Sequence, residues 1–143
     1  MKKLLLMCAA ASCMAVGQVH AQVNTPPAAA TDPAMAEYKA ARDKISADYK
    51  ADKAACDAMK DNAKAVCVKE AQGRQKIALA ELDHERSPSD ANARRLAEAR
   101  VAVNYEVARE KCNERQGGDK AACLKEAKAT EAKGKADIKA MKK

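Results

Sequence analysis

The fold is decided by two stretches of the chain, Tyr49–Ala71 (YKADKAACDAMKDNAKAVCVKEA) and Tyr105–Ala127 (YEVAREKCNERQGGDKAACLKEA). The second stretch aligns with the first at an offset of 56 residues, and the alignment needs no gap. The residues that recur unchanged include the tyrosine, both cysteines and the Lys-Glu-Ala that follows the second cysteine. An ungapped repeat of this length predicts two copies of one supersecondary unit.

The two cysteines of each copy lie at equal distances from a turn signal. These signals are Asp61-Asn62, midway between Cys56 and Cys67, and Gly117-Gly118, midway between Cys112 and Cys123. Because Asp-Asn and Gly-Gly readily adopt positive φ, each dipeptide predicts a turn between two helices. Folding the chain there sets each cysteine opposite its mate. Of the three complete pairings open to four cysteines, this symmetry favours Cys56–Cys67 and Cys112–Cys123.

The same symmetry, continued outward from the turns, sets large residues against small ones. Ile45 should face Ala78 in the first copy, and Val101 should face Gly134 in the second. Such pairing lets two helices interdigitate without leaving a void. The tyrosine of each copy falls on the inward stripe, so we expect it to pack there with its hydroxyl at the rim.

Proline-containing signals predict where the first and third helices begin. Asp32-Pro33 supplies an N-cap followed by proline at the first helical position. Ser87-Pro88-Ser89-Asp90 predicts a second start, with Ser87 as the N-cap and Pro88 as the first helical residue. The turn between the two copies is flanked by five large apolar residues whose equivalents in the other copy are not equally large apolar residues. We therefore assign them to the contact between the copies: Ile77, Leu79, Leu96, Val103 and Val107.

The predicted fold is therefore all-α, with two tandem antiparallel helical hairpins, each linked by a disulfide. Residues 32–86 form the first hairpin and residues 87–143 the second, giving four helices in coiled-coil-like or up-down bundle packing. From Gln22 onward, alanine outnumbers leucine, isoleucine, valine, methionine and tyrosine combined, and Trp and Phe are missing. Alanine favours helices but contributes little buried apolar area, so we expect the disulfides to supply much of the stability.

The first 21 residues have the pattern of a secretory signal peptide. Two lysines precede an uncharged run from Leu4 to Val16, and Val19-His20-Ala21 resembles a cleavage site. Residues 22–31 then read as a flexible leader. The expected location is the periplasm, with no transmembrane segment left after cleavage; acylation at Cys13, as in a lipoprotein, is the alternative.

No enzyme, metal or cofactor motif emerges from the rest of the chain. Zinc sites place cysteines closer together or add histidines, whereas only His84 follows the signal peptide. Redox enzymes use Cys-x-x-Cys, while ten residues separate the cysteines here. The expected site residues are thus the four disulfide cysteines, with no catalytic, cofactor-binding or metal-binding residues.

The net charge of the chain is modest, and basic and acidic residues are interleaved along it. Cleavage would remove Lys2 and Lys3, lowering the formal net charge from +7 to +5. This balance predicts weak, non-specific affinity for anionic envelope polymers and no specific binding to nucleic acid. The lysines near the C-terminus also stabilise a helix end.

The unit Tyr-x6-Cys-x10-Cys-x-Lys-Glu-Ala, seen from Tyr49 and again from Tyr105, resembles a group of small Ala/Lys-rich exported proteins of proteobacteria. Members are sometimes labelled TolA-like or cell-envelope-biogenesis proteins. The resemblance implies a location in the envelope and no mechanism. Two hypotheses follow: a non-enzymatic structural or protein-interaction scaffold that binds an envelope protein or itself, or a stress-related periplasmic module that binds a ligand, a metal or an unfolded client.

Overall fold

The computed structural model describes residues 32–141, which form four α-helices and contain no β-strand. The predicted signal peptide, the leader, the alternative acylation at Cys13 and the last two lysines lie outside these residues. The helices are α1 (Pro33–Ala55), α2 (Asp61–Arg86), α3 (Asp90–Lys111) and α4 (Gly117–Ala140). Hairpin 1, formed by α1 and α2, and hairpin 2, formed by α3 and α4, confirm the predicted fold class.

Helix α1 begins where the sequence predicts. Asp32 is its N-cap, and the carboxylate accepts a hydrogen bond of 3.0 Å from the backbone N–H of Ala34. Pro33 follows as the first helical residue, where its missing N–H has no helical partner to lose.

The predicted start of α3 is wrong by two residues. Ser89 is the N-cap, and its hydroxyl accepts from the N–H of Asn92 at 3.2 Å. Ser87 instead closes α2, because its N–H donates to the carbonyl of Asp83. The side-chain amide of Asn92 then donates to the carbonyls of Asp83 and Ser87, so the end of α2 and the start of α3 share one hydrogen-bonded corner.

The two hairpin turns have the same backbone path. Each first helix ends in one turn of 3₁₀ helix, Cys56–Ala58 or Cys112–Glu114, and two extended residues follow it. The next helix then opens on a residue with positive φ, Asp61 at 51° and Gly117 at 53°. The predicted positive φ is confirmed, but each dipeptide begins the second helix instead of forming the middle of the turn.

Both predicted disulfides are present. Cys56 is joined to Cys67 with Cα atoms 5.6 Å apart, and Cys112 to Cys123 with Cα atoms 5.7 Å apart. Cys56 and Cys112 are fully buried. Among the few other buried residues are Ala71 and Ala127, which are equivalent in the repeat, so each hairpin has a narrow core of small side chains next to its disulfide.

Close contacts at two glycines set the packing of α3 against both of its neighbours. A Cβ added to Gly134 would lie 2.6 Å from a methyl carbon of Val101, which confirms that these two residues face each other. A Cβ added to Gly73 would clash with a methyl carbon of Val103, at the contact between the hairpins. Three of the five residues predicted for that contact line one α2–α3 groove: Ile77, Val103 and Val107.

Candidate functional site

The same groove occurs in both hairpins. The groove between α1 and α2 and the groove between α3 and α4 share seven positions related by the 56-residue offset. In hairpin 1 these positions are Ile45, Asp48, Tyr49, Asp52, Arg74, Gln75 and Ala78. In hairpin 2 they are Val101, Asn104, Tyr105, Ala108, Thr130, Glu131 and Gly134. Each groove is therefore a feature of the repeated unit, with a half-buried tyrosine in its wall.

The two grooves differ in whether an ion pair crosses them. In hairpin 1 the guanidinium of Arg74 donates a hydrogen bond of 2.9 Å to the carboxylate of Asp52, which joins α2 to α1 beside Tyr49. The equivalent residues of hairpin 2 are Thr130 and Ala108, whose side chains are too short to form such a link. An ion pair therefore spans the groove of hairpin 1, about 440 Å³ in volume, whereas no equivalent pair spans the groove of hairpin 2, about 380 Å³ in volume.

Carboxylates from α4 line the groove of hairpin 2. These are Glu126, Glu131 and Asp137, and the one basic side chain in the lining is Lys133. Lys133 and Asp137 approach to 3.4 Å, and both side chains are largely exposed. Glu131 is only 20% exposed and pairs with Lys135 at 2.7 Å. The lining thus has an excess of negative charge, although the chain as a whole carries a formal charge of +7.

A third groove connects the other two on one face of the molecule. It lies between α2 and α3, and it shares Arg74 with the groove of hairpin 1 and Asn104 and Ala108 with the groove of hairpin 2. A residue that lines two grooves must lie on the ridge between them. The three grooves therefore open side by side, and together they define the grooved face.

Both disulfides lie at one end of the molecule. A cleft between the hairpins at that end is lined by Met59 and Cys67 of hairpin 1 and by Glu114 and Arg115 of hairpin 2. Met59 is among the exposed large apolar residues of the described chain. The Lys64 ammonium hydrogen-bonded to Asp57 keeps the pKa of that turn carboxyl below its usual range. All four cysteines predicted as site residues are thus structural links near this cleft, with no thiol available for chemistry.

A polar cluster at the opposite end was not expected from the sequence. The hydroxyl of Tyr38 donates to the carboxylate of Asp83 at 2.6 Å and accepts from Arg42 at 3.0 Å. The guanidinium of Arg86 lies over the tyrosine ring, 4.4 Å from its centroid. The sequence signal was available, because Tyr38 and Asp83 lie almost opposite each other when the hairpin symmetry is extended to the end of α1.

His84 is half-buried, although charged residues surround it in the sequence. The side chain is half-buried near the α2–α3 corner, and its Nδ1 is buried without a hydrogen-bond partner among residues 32–141. Within the same range, no group of three or more His, Cys, Asp and Glu side chains could hold a metal ion. None of the described helices is both long and apolar enough to cross a bilayer.

No protein-family model, curated protein or solved structure matches this chain.

Proposed function

We propose that this chain is an exported, non-enzymatic scaffold of the cell envelope that binds a protein partner, or a second copy of itself, through the grooved face. The single observation that carries the proposal is the continuity of the three grooves across both hairpins. A surface of this kind suits an elongated partner, because ridges of one helix pack into grooves between others.

The rigidity of the framework supports the same function. Two disulfides fix the hairpin turns, and the close contact of Gly73 with Val103 fixes one hairpin against the other. Ion pairs between α2 and α3 add to this contact, including Glu81–Arg100 at 2.7 Å and Glu70–Lys111 at 2.7 Å. A binding surface that is ordered before binding loses less conformational entropy when the partner docks.

Photo-crosslinking in living cells tests the proposal directly. A photoreactive residue at Asn104, which lies on the ridge between two grooves, should form a discrete adduct in the periplasm. The matched control is Gln72, an exposed position on α2 that lines none of these grooves. An adduct of twice the chain mass at Asn104 would identify self-association. Equal labelling from both positions, or none from either, would contradict a role for this face.

Export is supported by the disulfides, because disulfides persist in oxidising compartments. If the proposal is right, intact-mass measurement of the periplasmic fraction should find a chain that begins at Gln22 and contains no free thiol. A mass that retains residues 1–21, or one that shows lipid attached at Cys13, would require another location or another mode of attachment.

The second candidate is the stress-related periplasmic binding module. The observation that favours it is the groove of hairpin 2, which has the size of a small-ligand site and is not crossed by an ion pair like that of Asp52 and Arg74. The two candidates are distinguished by the mass of whatever remains bound after native purification.

A further inference from the structure

The two cysteines of each disulfide are unequally exposed. The first of each pair, Cys56 or Cys112, has no exposed surface, whereas the second, Cys67 or Cys123, is half-buried. The same inequality occurs in both copies, so it belongs to the repeated unit. A thiolate opens a disulfide by attacking one sulfur and expelling the other, and the attacked sulfur must be accessible. While the helices stay packed, only the second cysteine of each pair can be attacked.

The surroundings of these two accessible cysteines differ in charge. Cys67 lies in the wall of the cleft between the hairpins, whose lining balances two basic with two acidic side chains. One base, Lys111, pairs with Glu70 at 2.7 Å, and the other, Arg115, has no ion pair within the described part of the chain. The groove that contains Cys123 is lined by three carboxylates and one basic side chain. An approaching thiolate is therefore repelled less at Cys67.

The buried side of the hairpin 1 disulfide can accommodate a free thiol. Sγ of Cys56 lies 3.3 Å from the carbonyl oxygen of Asp52, to which a released thiol could donate a hydrogen bond without moving. Two polar links, Asp52–Arg74 and Tyr38–Asp83, would still join α1 to α2. Hairpin 1 can therefore stay folded when its disulfide opens.

We propose that this cleft is a site of thiol–disulfide exchange, at which an external thiolate attacks Sγ of Cys67. A new disulfide forms between Cys67 and the external sulfur. The Cys56–Cys67 bond breaks, and Cys56 leaves as a thiolate that takes up the proton lost by the external thiol. One disulfide replaces another, so the step needs no oxidant. The external thiol is a small aliphatic thiol or the attacking cysteine of a dithiol oxidoreductase. This inference is independent of the scaffold function.

Two single substitutions test which sulfur can be reached. Cys56→Ala leaves Cys67 as a free thiol, and Cys67→Ala leaves Cys56, while both variants lose the same disulfide. With glutathione disulfide as the probe, intact mass should show a mixed disulfide forming at least tenfold faster in Cys56→Ala. Circular dichroism checks that both variants remain helical. Equal rates in the two folded variants would overturn the proposal.

The wild-type chain provides a second measurement without any cysteine substitution. The oxidised protein is treated with reduced glutathione in the absence of denaturant, quenched with acid, alkylated and mapped by peptide mass. We expect glutathione on Cys67, the alkyl group on Cys56, and a slower reaction at Cys123. Absence of any mixed disulfide, or glutathione found first on Cys56 or Cys112, would show that the assignment of the attacked sulfur is wrong.

A charge-matched pair of variants locates the reaction in the cleft. Arg115→Gln should slow the reaction at Cys67 several-fold, whereas Lys76→Gln, at an exposed position of α2 outside the cleft, removes the same charge and should have no effect. Repeating the reaction with a dithiol oxidoreductase that keeps only its attacking cysteine distinguishes the two thiol sources. A trapped adduct at Cys67 means that a protein thiol can enter the cleft, and reaction with glutathione alone restricts the site to small thiols. Equal slowing by the two substitutions would contradict a site in the cleft.

Discussion

Two glycines let the helices pack closely, and this packing determines the effect of single substitutions at them. Gly134 lies in α4 directly against Val101, where an added Cβ would come within 2.6 Å of a methyl carbon. Gly134→Ala gains about 1 kcal/mol of helix propensity but forces Val101 or the helix to move, at a cost of roughly 1–3 kcal/mol. We expect a net loss of stability in urea denaturation with the disulfides intact.

Gly118→Ala is the matched control for that substitution. Gly118 also lies in α4, but an added Cβ would have no neighbour within 4 Å. Stability should therefore rise, by up to about 1 kcal/mol. Combining Gly134→Ala with Val101→Ala should relieve the close contact. If Gly134→Ala and Gly118→Ala stabilise the protein equally, the close approach of α4 to α3 is wrong.

The two hairpin turns allow the cost of a positive φ to be compared between a glycine and an aspartate. Gly117 and Asp61 hold the same left-handed conformation, and nothing lies near the missing Cβ of Gly117. Gly117→Ala should destabilise by about 1 kcal/mol, because an L side chain disfavours positive φ. Asp61→Gly should be neutral or slightly stabilising. Thermal unfolding of both variants measures the effect, and increased stability in Gly117→Ala would contradict the turn geometry.

At the scale of the elements, the disulfides compensate for a thin core. Each closes a loop with a sequence separation of 11, which the chain-entropy model values at about 3 kcal/mol. We expect Cys112→Ala/Cys123→Ala to lower the free energy of unfolding by about that amount. The matching change in hairpin 1, Cys56→Ala/Cys67→Ala, should lower the free energy of unfolding by less. The midpoint of urea unfolding measures both effects.

The reason for this difference comes from the structure. Ile77 does not strengthen the α1–α2 seam, because it lines the groove toward α3. Hairpin 1 instead has two polar links across its helices, Asp52–Arg74 and Tyr38–Asp83. Hairpin 2 has Ala108 and Thr130 in place of the first and Arg94 and Lys139 in place of the second. Equal losses in the two double variants would show that these links contribute nothing measurable.

At the scale of the whole molecule, we expect the hairpins to unfold together. The four helices form one compact unit, and α2 and α3 make the most extensive contact between helices. Hydrogen exchange in increasing urea should therefore give the same opening free energy for the protected amides of both hairpins. A lower value throughout one hairpin would contradict this cooperativity.

Gly73 should control the coupling between the hairpins. Gly73→Leu places a large side chain where even a Cβ would clash with Val103, so the hairpins should unfold in two separate transitions. Gln72→Leu adds a similar side chain at the neighbouring exposed position and should preserve a single transition. The two variants differ by one position on α2, which isolates the contact from general effects of added leucine.

Reasoning from the sequence predicted each hairpin: its fold class, its disulfide pairing, a positive φ within Asp61-Asn62 and Gly117-Gly118, and the facing of Val101 with Gly134. These features follow from short-range chain reversal, because a tight turn fixes the register of the two helices it joins. The folded structure was needed to show that Gly73 meets Val103, that Arg74 crosses one groove and that three grooves share a face. Alanine-rich helices have several faces of similar apolarity. Which face packs against a neighbouring helix therefore depends on how the side chains of the two helices fit together. The periodicity along one helix does not contain that information.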